Sequence, residues 1–333
     1  MNKVSIAEAF SAGKAFIPFI TCGDPSLSVT EQLVYAMEEA GADLIELGIP
    51  FSDPTAEGPV IQGANERALS GGVTTDKIFE MVIRIREKTS IPLLFMTYAN
   101  VVFSYGKERF IRNAAEIGMN GLILPDVPFE EKEEFGSVCK TYGLELVSLI
   151  APTSHDRITS IAREAGGFVY CVSSLGVTGV RSNITTDVGA MVSLVKQAKD
   201  IPCAIGFGIS TPDQAKAMAG KADGVIVGSA IVKLCKQYGE DCIPYVKEYV
   251  REMIGKEAGY PPKRPCRLYC KPAWPFYLPI PELCPSPRQP AQSSGKSATA
   301  TRNCASDGPR DPRPSVLSEG RWMESVVKWG IQQ

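Results

Sequence analysis

The first 259 residues alternate between two sequence patterns, and this alternation restricts the fold more than any other feature of the chain. Amphipathic stretches with apolar residues at i, i+3 and i+4 separate short apolar runs. The apolar runs lie at residues 15–20, 42–47, 91–96, 121–124, 144–150, 167–172, 202–206 and 224–227. The amphipathic stretches lie at residues 29–40, 77–88, 108–117, 132–142, 157–165, 188–198, 212–219 and about 230–254. The pattern predicts eight strands separated by helices.

Strands that alternate with helices pair in parallel, because each helix returns the chain to the start of the next strand. The eight runs are too apolar for a sheet with one face in water, so both faces must be covered. We therefore predict an α/β fold, a closed (β/α)8 TIM barrel formed by residues 1–259. An open doubly wound sheet is the alternative that the periodicity leaves.

Residues 260–333 differ from the rest of the chain in composition. They hold 13 of the 25 prolines, all three tryptophans, and 11 Lys and Arg against 5 Asp and Glu. So many prolines prevent a continuous helix or strand, and we predict a disordered, basic, Pro-rich extension. A nucleic-acid-binding or SH3-binding segment is the functional alternative, but the positive charges are dispersed and no motif repeats. We favour an extension without a role in the activity.

Composition also argues against several classes of protein. No apolar run approaches the roughly 18 residues of a membrane span, and residues 15–21 are too few for a signal-peptide core. Six cysteines are scattered through apolar segments of the first 250 residues, as expected of buried thiols in a reducing compartment. We expect a soluble, cytoplasmic protein that binds neither membranes nor nucleic acid.

The sequence offers few candidate metal ligands. His155 is the one histidine, which argues against a histidine metal site and against a Ser-His-Asp triad. Cys266 and Cys270 lack the second pair of ligands that a zinc site needs. We expect no metal, and carboxylates must then perform any acid–base chemistry.

Glycine-rich loops follow three predicted strands, at the barrel end where active sites of this fold are built. Gly206, Phe207 and Gly208 follow the seventh strand, and Gly228 and Ser229 follow the eighth. The third loop, residues 173–179, follows the sixth. Glycine lets a backbone approach phosphate, and N–H groups at a helix start attract it. Each glycine alone could simply form a turn, but three such loops together predict a phosphate site.

Two carboxylates stand at strand ends. Glu46 ends the second predicted strand and should point into the mouth of the barrel, where partial burial would raise its pKa and suit it to proton transfer. Asp126 follows the fourth strand and poses the same choice. The alternative for each is a structural carboxylate that caps a helix or pairs with a neighbouring loop.

Six segments carry a family resemblance: residues 16–25 (FIPFITCGDP), 46–54 (ELGIPFSDP), 98–100 (YAN), 124–128 (LPDVP), 176–179 (GVTG) and 206–210 (GFGIS). In order and spacing they resemble the tryptophan synthase alpha chain family over about residues 5–257. The resemblance implies a lyase of L-tryptophan biosynthesis that cleaves indole-3-glycerol phosphate to indole and glyceraldehyde 3-phosphate. This retro-aldol reaction needs no metal or organic cofactor.

The resemblance also implies roles for individual residues. It makes Glu46 the proton-transfer residue and Glu57 the second catalytic carboxylate, at a position where the family carries Asp; Asp53 is the competing candidate. The family's loop after the sixth strand often carries Arg where this chain has Ser174, so the resemblance does not extend to a charge contact there. We also expect ten substrate-binding residues: Phe19, Asp126, Tyr170, Thr178, Gly179, Gly206, Phe207, Gly208, Gly228 and Ser229.

The family's partner is a pyridoxal-phosphate beta chain that receives indole through a tunnel, in an assembly of two alpha and two beta chains. The resemblance places the contact surface at Asp53 with residues 51–59, at the loop after the sixth strand, and around residues 98–100. Two alternatives remain: another phosphate-binding barrel isomerase or lyase, and a weakly catalytic subunit that mainly activates a beta chain.

Overall fold

The computed structural model of the protein describes residues 4–172, 188–206 and 208–255, with the side chain of His155 excepted. Its centre is a sheet of nine short strands within this part of the chain. They are β1 Ala15–Thr21, β2 Ile45–Gly48, β3 Leu93–Met96, β4 Gly121–Ile123, β5 Glu145–Leu146, β6 Ser148–Ile150, β7 Val169–Val172, β8 Cys203–Gly206 and β9 Gly224–Val227.

Every described strand pair is parallel, and the order is β5-β4-β3-β2-β1-β9-β8-β7-β6. The predicted fifth strand is present as β5 and β6, which lie on either side of Val147. β5 pairs with β4, and the Val147 N–H continues that edge by donating to the Leu122 carbonyl oxygen at 3.0 Å. β6 then pairs with β7. One stretch of chain thus joins both edges of the sheet, and the predicted barrel is confirmed as a nearly closed ring.

Helices surround the sheet. Those described are α1 Ile6–Ala9, α2 Leu27–Ala40, α3 Pro59–Ser70, α4 Thr75–Arg86, α5 Ala99–Tyr105, α6 Lys107–Glu116, α7 Glu133–Tyr142, α8 Ile158–Glu164, α9 Val188–Ala198, α10 Pro212–Ala219, α11 Ser229–Tyr238 and α12 Cys242–Ile254. Short 3-10 helices lie at Phe129–Glu131, Pro152–Arg157 and Gly239–Asp241. Within these described ranges, no helix is both long and apolar enough to cross a membrane.

Local sequence explains where several helices begin and end. The side-chain oxygens of Ser26, Thr74 and Thr211 each accept the backbone N–H three residues on, which satisfies one free donor at the helix start. Gly41 ends α2 in the left-handed conformation at φ +111°, which glycine adopts readily.

The helices differ from the sequence prediction in two places. The expected helix at 230–254 is two helices, because the chain turns at Gly239 with φ +52°. The second difference is that α1, α3 and α5 were not predicted.

Side chains alternate between two apolar layers, as the two-residue period of a strand requires. Ile45 and Leu47 on β2 join the layer between sheet and helices, together with Phe16 and Ile20 of β1. Leu44 belongs to the cluster inside the barrel, with Ile17 of β1. Glu46 lies two residues after Leu44 and therefore faces the barrel interior.

The six cysteines predicted to be buried are buried and free. Residues 256–333 lie outside the described ranges, so the boundary at 259 and the disordered extension remain predictions.

Candidate active site

A cavity opens at the carboxyl ends of the strands. It brings together seven of the residues predicted for the site, which come from both halves of the barrel. They are Phe19, Glu46, Glu57, Tyr170, Gly208, Gly228 and Ser229. Within the described ranges, seven further residues line it: Ala56, Ile61, Met96, Tyr98, Pro125, Ile209 and Ile226.

Glu46 is the buried acid of this cavity. Its side chain is 0% exposed, and neither carboxyl oxygen has a hydrogen-bond partner among the described residues. Burial raises the pKa of the Glu46 carboxyl to about 8, because the charged form loses its hydration without gaining a donor. At neutral pH the group is therefore mostly protonated and able to donate a proton.

Glu57 lies in the loop between β2 and α3 and is partly buried. The side-chain amide of Asn65 donates to Glu57 Oε2, with an Nδ2···Oε2 distance of 2.7 Å. Burial raises the pKa of Glu57 to about 7, and the hydrogen bond from Asn65 acts in the opposite direction. Near neutral pH, Glu57 therefore exists in both forms, and its ionised form can accept a hydrogen bond.

Three contacts hold the backbone around Glu57. Gln62 Nε2 donates to the Glu57 carbonyl oxygen at 2.7 Å, and the Ala56 N–H donates to the Tyr98 hydroxyl at 3.1 Å. The ring of Tyr98 in turn packs on Phe51, with ring centroids 5.2 Å apart. The loop is thus attached to α3 on one side and to the start of α5 on the other.

The apolar periodicity does not predict α3, which carries Gln62 and Asn65. A signal was present: Pro59 occupies the first helical turn, and Ile61, Ala64 and Ala68 have helical spacing and are buried. Tyr98 was predicted only as part of a partner surface.

Two aromatic side chains, Phe19 and Tyr170, form parts of the wall, and glycines leave room for both. A Cβ at Gly48 would lie 2.6 Å from Phe19 Cζ, and one at Gly206 would lie 2.4 Å from the Tyr170 hydroxyl oxygen. Burial raises the pKa of Tyr170, and nearby Glu46 raises it further. Gly206 is not among the described residues that line the cavity, and its missing side chain accommodates Tyr170; its predicted phosphate binding stays a prediction.

The described part of the predicted phosphate site consists of Gly208 and the start of α11. Gly208 has φ +84°, a conformation that side chains disfavour. The Gly228 carbonyl accepts the N–H groups of Ile231 and Val232, so α11 begins at the cavity wall with Ser229 in its first turn. The first N–H groups of a helix have no partner within the helix and favour anions.

Asp126 occupies a different place. Both of its carboxylate oxygens accept the Ala99 N–H, at 3.1 and 3.0 Å, where α5 begins. Burial raises the pKa of Asp126, and the hydrogen bond from Ala99 lowers it. The side chain does not line the cavity, and this geometry is that of a helix cap.

The remaining predicted residues are separated from the cavity or fall outside the described ranges. Asp53 is exposed, and its carboxylate accepts a hydrogen bond from the Ser52 hydroxyl. Thr178, Gly179, Ser174 and Phe207 lie outside the described residues.

Sequence comparison relates most of the chain to one family. The model of the family described as tryptophan synthase alpha chain matches residues 7–257. The tryptophan synthase alpha chain of Lactiplantibacillus plantarum is 49% identical over 245 residues, which are 73% of this chain and 92% of the relative. That of Shouchella clausii is 50% identical over 258 residues, 77% of this chain and 94% of the relative.

Solved structures agree with the sequence comparison. A chain from the tryptophan synthase a2b2 complex of Pyrococcus furiosus superposes with a TM-score of 0.68 and 34% identity, covering 73% of this chain and 98% of that one. The alpha subunit of tryptophan synthase from Legionella pneumophila gives a TM-score of 0.66 and 37% identity, covering 72% and 91%.

Proposed function

This chain belongs to the tryptophan synthase alpha chain family, and we propose that it cleaves indole-3-glycerol phosphate to indole and glyceraldehyde 3-phosphate in L-tryptophan biosynthesis. One observation carries the proposal for this site. A single cavity holds two acids with raised pKa values, Glu46 and Glu57, together with the open helix start at Gly228 and Ser229. Proton transfer and phosphate binding can therefore act on one small molecule.

The reaction requires three changes at the substrate. A proton must reach carbon C3 of the indole ring, and positive charge then develops on the ring nitrogen. The bond from C3 to the glycerol chain breaks, and its electron pair remains with the ring. The hydroxyl group on the departing carbon loses its proton as that carbon becomes an aldehyde. One proton is gained and one is lost, so no external reagent is needed.

Glu46 is suited to both proton transfers. Its pKa near 8 keeps it protonated at neutral pH, so it can donate to C3. The carboxylate that remains is buried without a partner among the described residues, and it regains a proton from the glycerol hydroxyl. The acid is thereby restored within one turnover.

Glu57 and the cavity walls bind the two ends of the substrate. The Glu57 carboxylate accepts the indole N–H and stabilises the developing positive charge. Phe19 and Tyr170 contact the ring. Gly208, Gly228 and Ser229 bind the phosphate, and the family resemblance adds Thr178, Gly179, Gly206 and Phe207 to this proposal. Asp126 supports the site by capping α5.

A beta chain is the proposed partner, because structural neighbours come from a tryptophan synthase a2b2 complex. We expect the same assembly of two alpha and two beta chains here, in the cytoplasm. The alpha reaction needs no cofactor in this chain.

Indole release from indole-3-glycerol phosphate tests the function, with the chain alone and with a beta chain. We expect wild-type protein to form indole and Glu46→Gln to lose about 10²- to 10⁴-fold in rate, the range for one acid–base residue. Glu80→Gln is the control, since Glu80 is an exposed residue of α4. A wild type that forms no indole in either condition would refute the function. A fully active Glu46→Gln variant would refute the role of Glu46.

A further inference from the structure

Asn65 contacts a proposed catalytic group without lining the cavity itself. It lies on α3, is 5% exposed, and donates to Glu57 Oε2 at 2.7 Å. We propose that Asn65 is a positioning residue for Glu57: its amide holds one carboxylate oxygen and leaves Oε1 to accept the substrate N–H. This inference rests on the proposed function and adds to it a residue that determines where the charge of Glu57 lies.

The contact is specific to the carboxylate and does not merely attach the loop. Gln62 Nε2 holds the main-chain oxygen of Glu57, and the Tyr98 hydroxyl accepts the N–H of Ala56. The backbone on both sides of the side chain therefore has its own anchors. These anchors leave the Glu57 side chain free to rotate, and Asn65 restrains its carboxyl group.

The length of the side chain at position 57 matters for this contact. The family resemblance expects Asp there, whereas this chain has Glu, which is longer by one methylene. The additional reach brings Oε2 to Asn65 on the adjacent helix. A shorter Asp at position 57 would end before the amide, so the two residues must be matched in length.

The charges around Glu57 make the Asn65 donor important. Tyr98 at the start of α5, Tyr170 on β7 and Glu46 on β2 are the titratable groups that share the described cavity wall with Glu57, and that described wall holds no Lys, Arg or His. None of the three contributes a positive charge that would stabilise a carboxylate. The amide of Asn65 is the side-chain donor that favours the ionised form against burial.

The first test is the pH profile of kcat/KM for indole formation by Asn65→Ala. Without the amide, the pKa of Glu57 rises, so the Glu57 carboxyl group is ionised in fewer molecules at a given pH. The acidic limb of the pH profile therefore moves to higher pH. We expect kcat/KM at pH 7 to fall about 10- to 100-fold. Glu66→Ala is the matched control, since Glu66 is the next residue of α3 and is exposed.

The second test exchanges the two lengths. Combining Asn65→Gln with Glu57→Asp restores the combined length of the two side chains. The kcat/KM of this double variant should therefore be at least 10-fold higher than that of Glu57→Asp alone. In protein that already carries Glu57→Asp, Asn65→Ala should lower kcat/KM only slightly, because the contact between the two side chains is already absent. If Asn65→Ala does not fold, as judged by circular dichroism, Asn65→Ser replaces it, with a polar side chain too short for the contact.

The outcomes separate this inference from the function on which it rests. An active wild type in which Asn65→Ala lowers kcat/KM uniformly, without moving the acidic limb, would overturn the positioning role and leave the function intact. The positioning role would also be overturned if Asn65→Ala lowered kcat/KM equally in the wild type and in the Glu57→Asp variant. Absence of indole formation by the wild type would instead refute the proposed function.

Discussion

Among single residues, the main feature is a carboxyl group buried without a hydrogen-bond partner in the described part of the chain. Glu46 follows the inward-facing Leu44 by two positions, so the pleat of β2 directs it into the barrel. Its neighbours in register are Phe19 on β1 and Leu94 on β3, and neither side chain can donate a hydrogen bond. The protein tolerates this by keeping the group protonated, and that has a measurable consequence for stability.

The free energy of unfolding should depend on pH through Glu46. Its pKa is about 8 in the folded protein and 4.5 for the ordinary group, so the folded state binds more protons between these values. Stability therefore falls as pH rises from about 4.5 to 8. Between pH 5 and pH 9, we expect the wild type to lose on the order of 4 kcal/mol relative to Glu46→Gln.

Urea unfolding at several pH values measures this difference. The cost of burying the Gln amide is the same at every pH. Only the pH-dependent part of the difference in unfolding free energy between wild type and Glu46→Gln therefore reports on Glu46. Glu80→Gln should follow the wild-type curve. A constant difference between wild type and Glu46→Gln from pH 5 to 9 would show that the Glu46 pKa is not raised.

At the scale of elements, α3 connects the active-site loop to the barrel. Gln62 and Asn65 hold the loop, while Arg67 forms two hydrogen bonds of 2.8 Å with Asp24, just after β1. The Asp24 side chain is 2% exposed and that of Arg67 is 34% exposed, so the carboxylate is shielded from water while the guanidinium is partly exposed. Because one short helix makes both sets of contacts, the loop is positioned relative to the strands.

Arg67→Met should destabilise the protein, because it leaves the buried carboxylate of Asp24 without its partner. We expect a loss of about 2 kcal/mol in the free energy of unfolding, less than for a fully buried pair because Arg67 is partly exposed. Arg84→Met is the control: Arg84 pairs with Glu31 with 49% of its side chain exposed and should change stability by less than about 0.5 kcal/mol. Equal effects of the two substitutions in urea unfolding would contradict this prediction.

At the scale of the whole molecule, closure of the barrel brings the two halves of the site together. Glu46 lies on the second strand and Glu57 follows it, whereas Gly208, Gly228 and Ser229 follow the last two. They face one cavity because residues 145–150 pair with β4 at one end and with β7 at the other. The site therefore depends on pairing between residues distant in sequence.

Removing residues 260–333 should leave the catalytic unit intact, since the family model ends at residue 257. We expect the shortened protein to keep its indole-forming rate within about two-fold and its urea midpoint unchanged. Truncation after residue 241 is the contrasting case, because it removes α12, which packs on α2 and places Lys247 Nζ 2.6 Å from Glu39. A loss of activity in the protein that lacks only residues 260–333 would show that the extension has a role.

The sequence predicted much of this molecule, for a physical reason. Apolar periodicity is a local property, so it indicated the strands, most of the helices and the inward direction of Glu46. It missed α3, although Pro59 and the helical spacing of Ile61, Ala64 and Ala68 were available as a signal, and it joined α11 to α12 across Gly239. Asp126 could not be assigned from sequence, because a carboxylate at a strand end has the same local pattern whether it caps a helix or binds substrate.

The period of the elements and the family could thus be read from the residues alone, which also predict the carboxylates that transfer protons. Only the tertiary structure decided that Glu46 has no hydrogen-bond partner among the described residues, that Asn65 contacts Glu57, and that Gly206 accommodates Tyr170. Burial and hydrogen bonding depend on atoms contributed by distant parts of the chain. A side chain's pKa and orientation are therefore set only when the barrel closes.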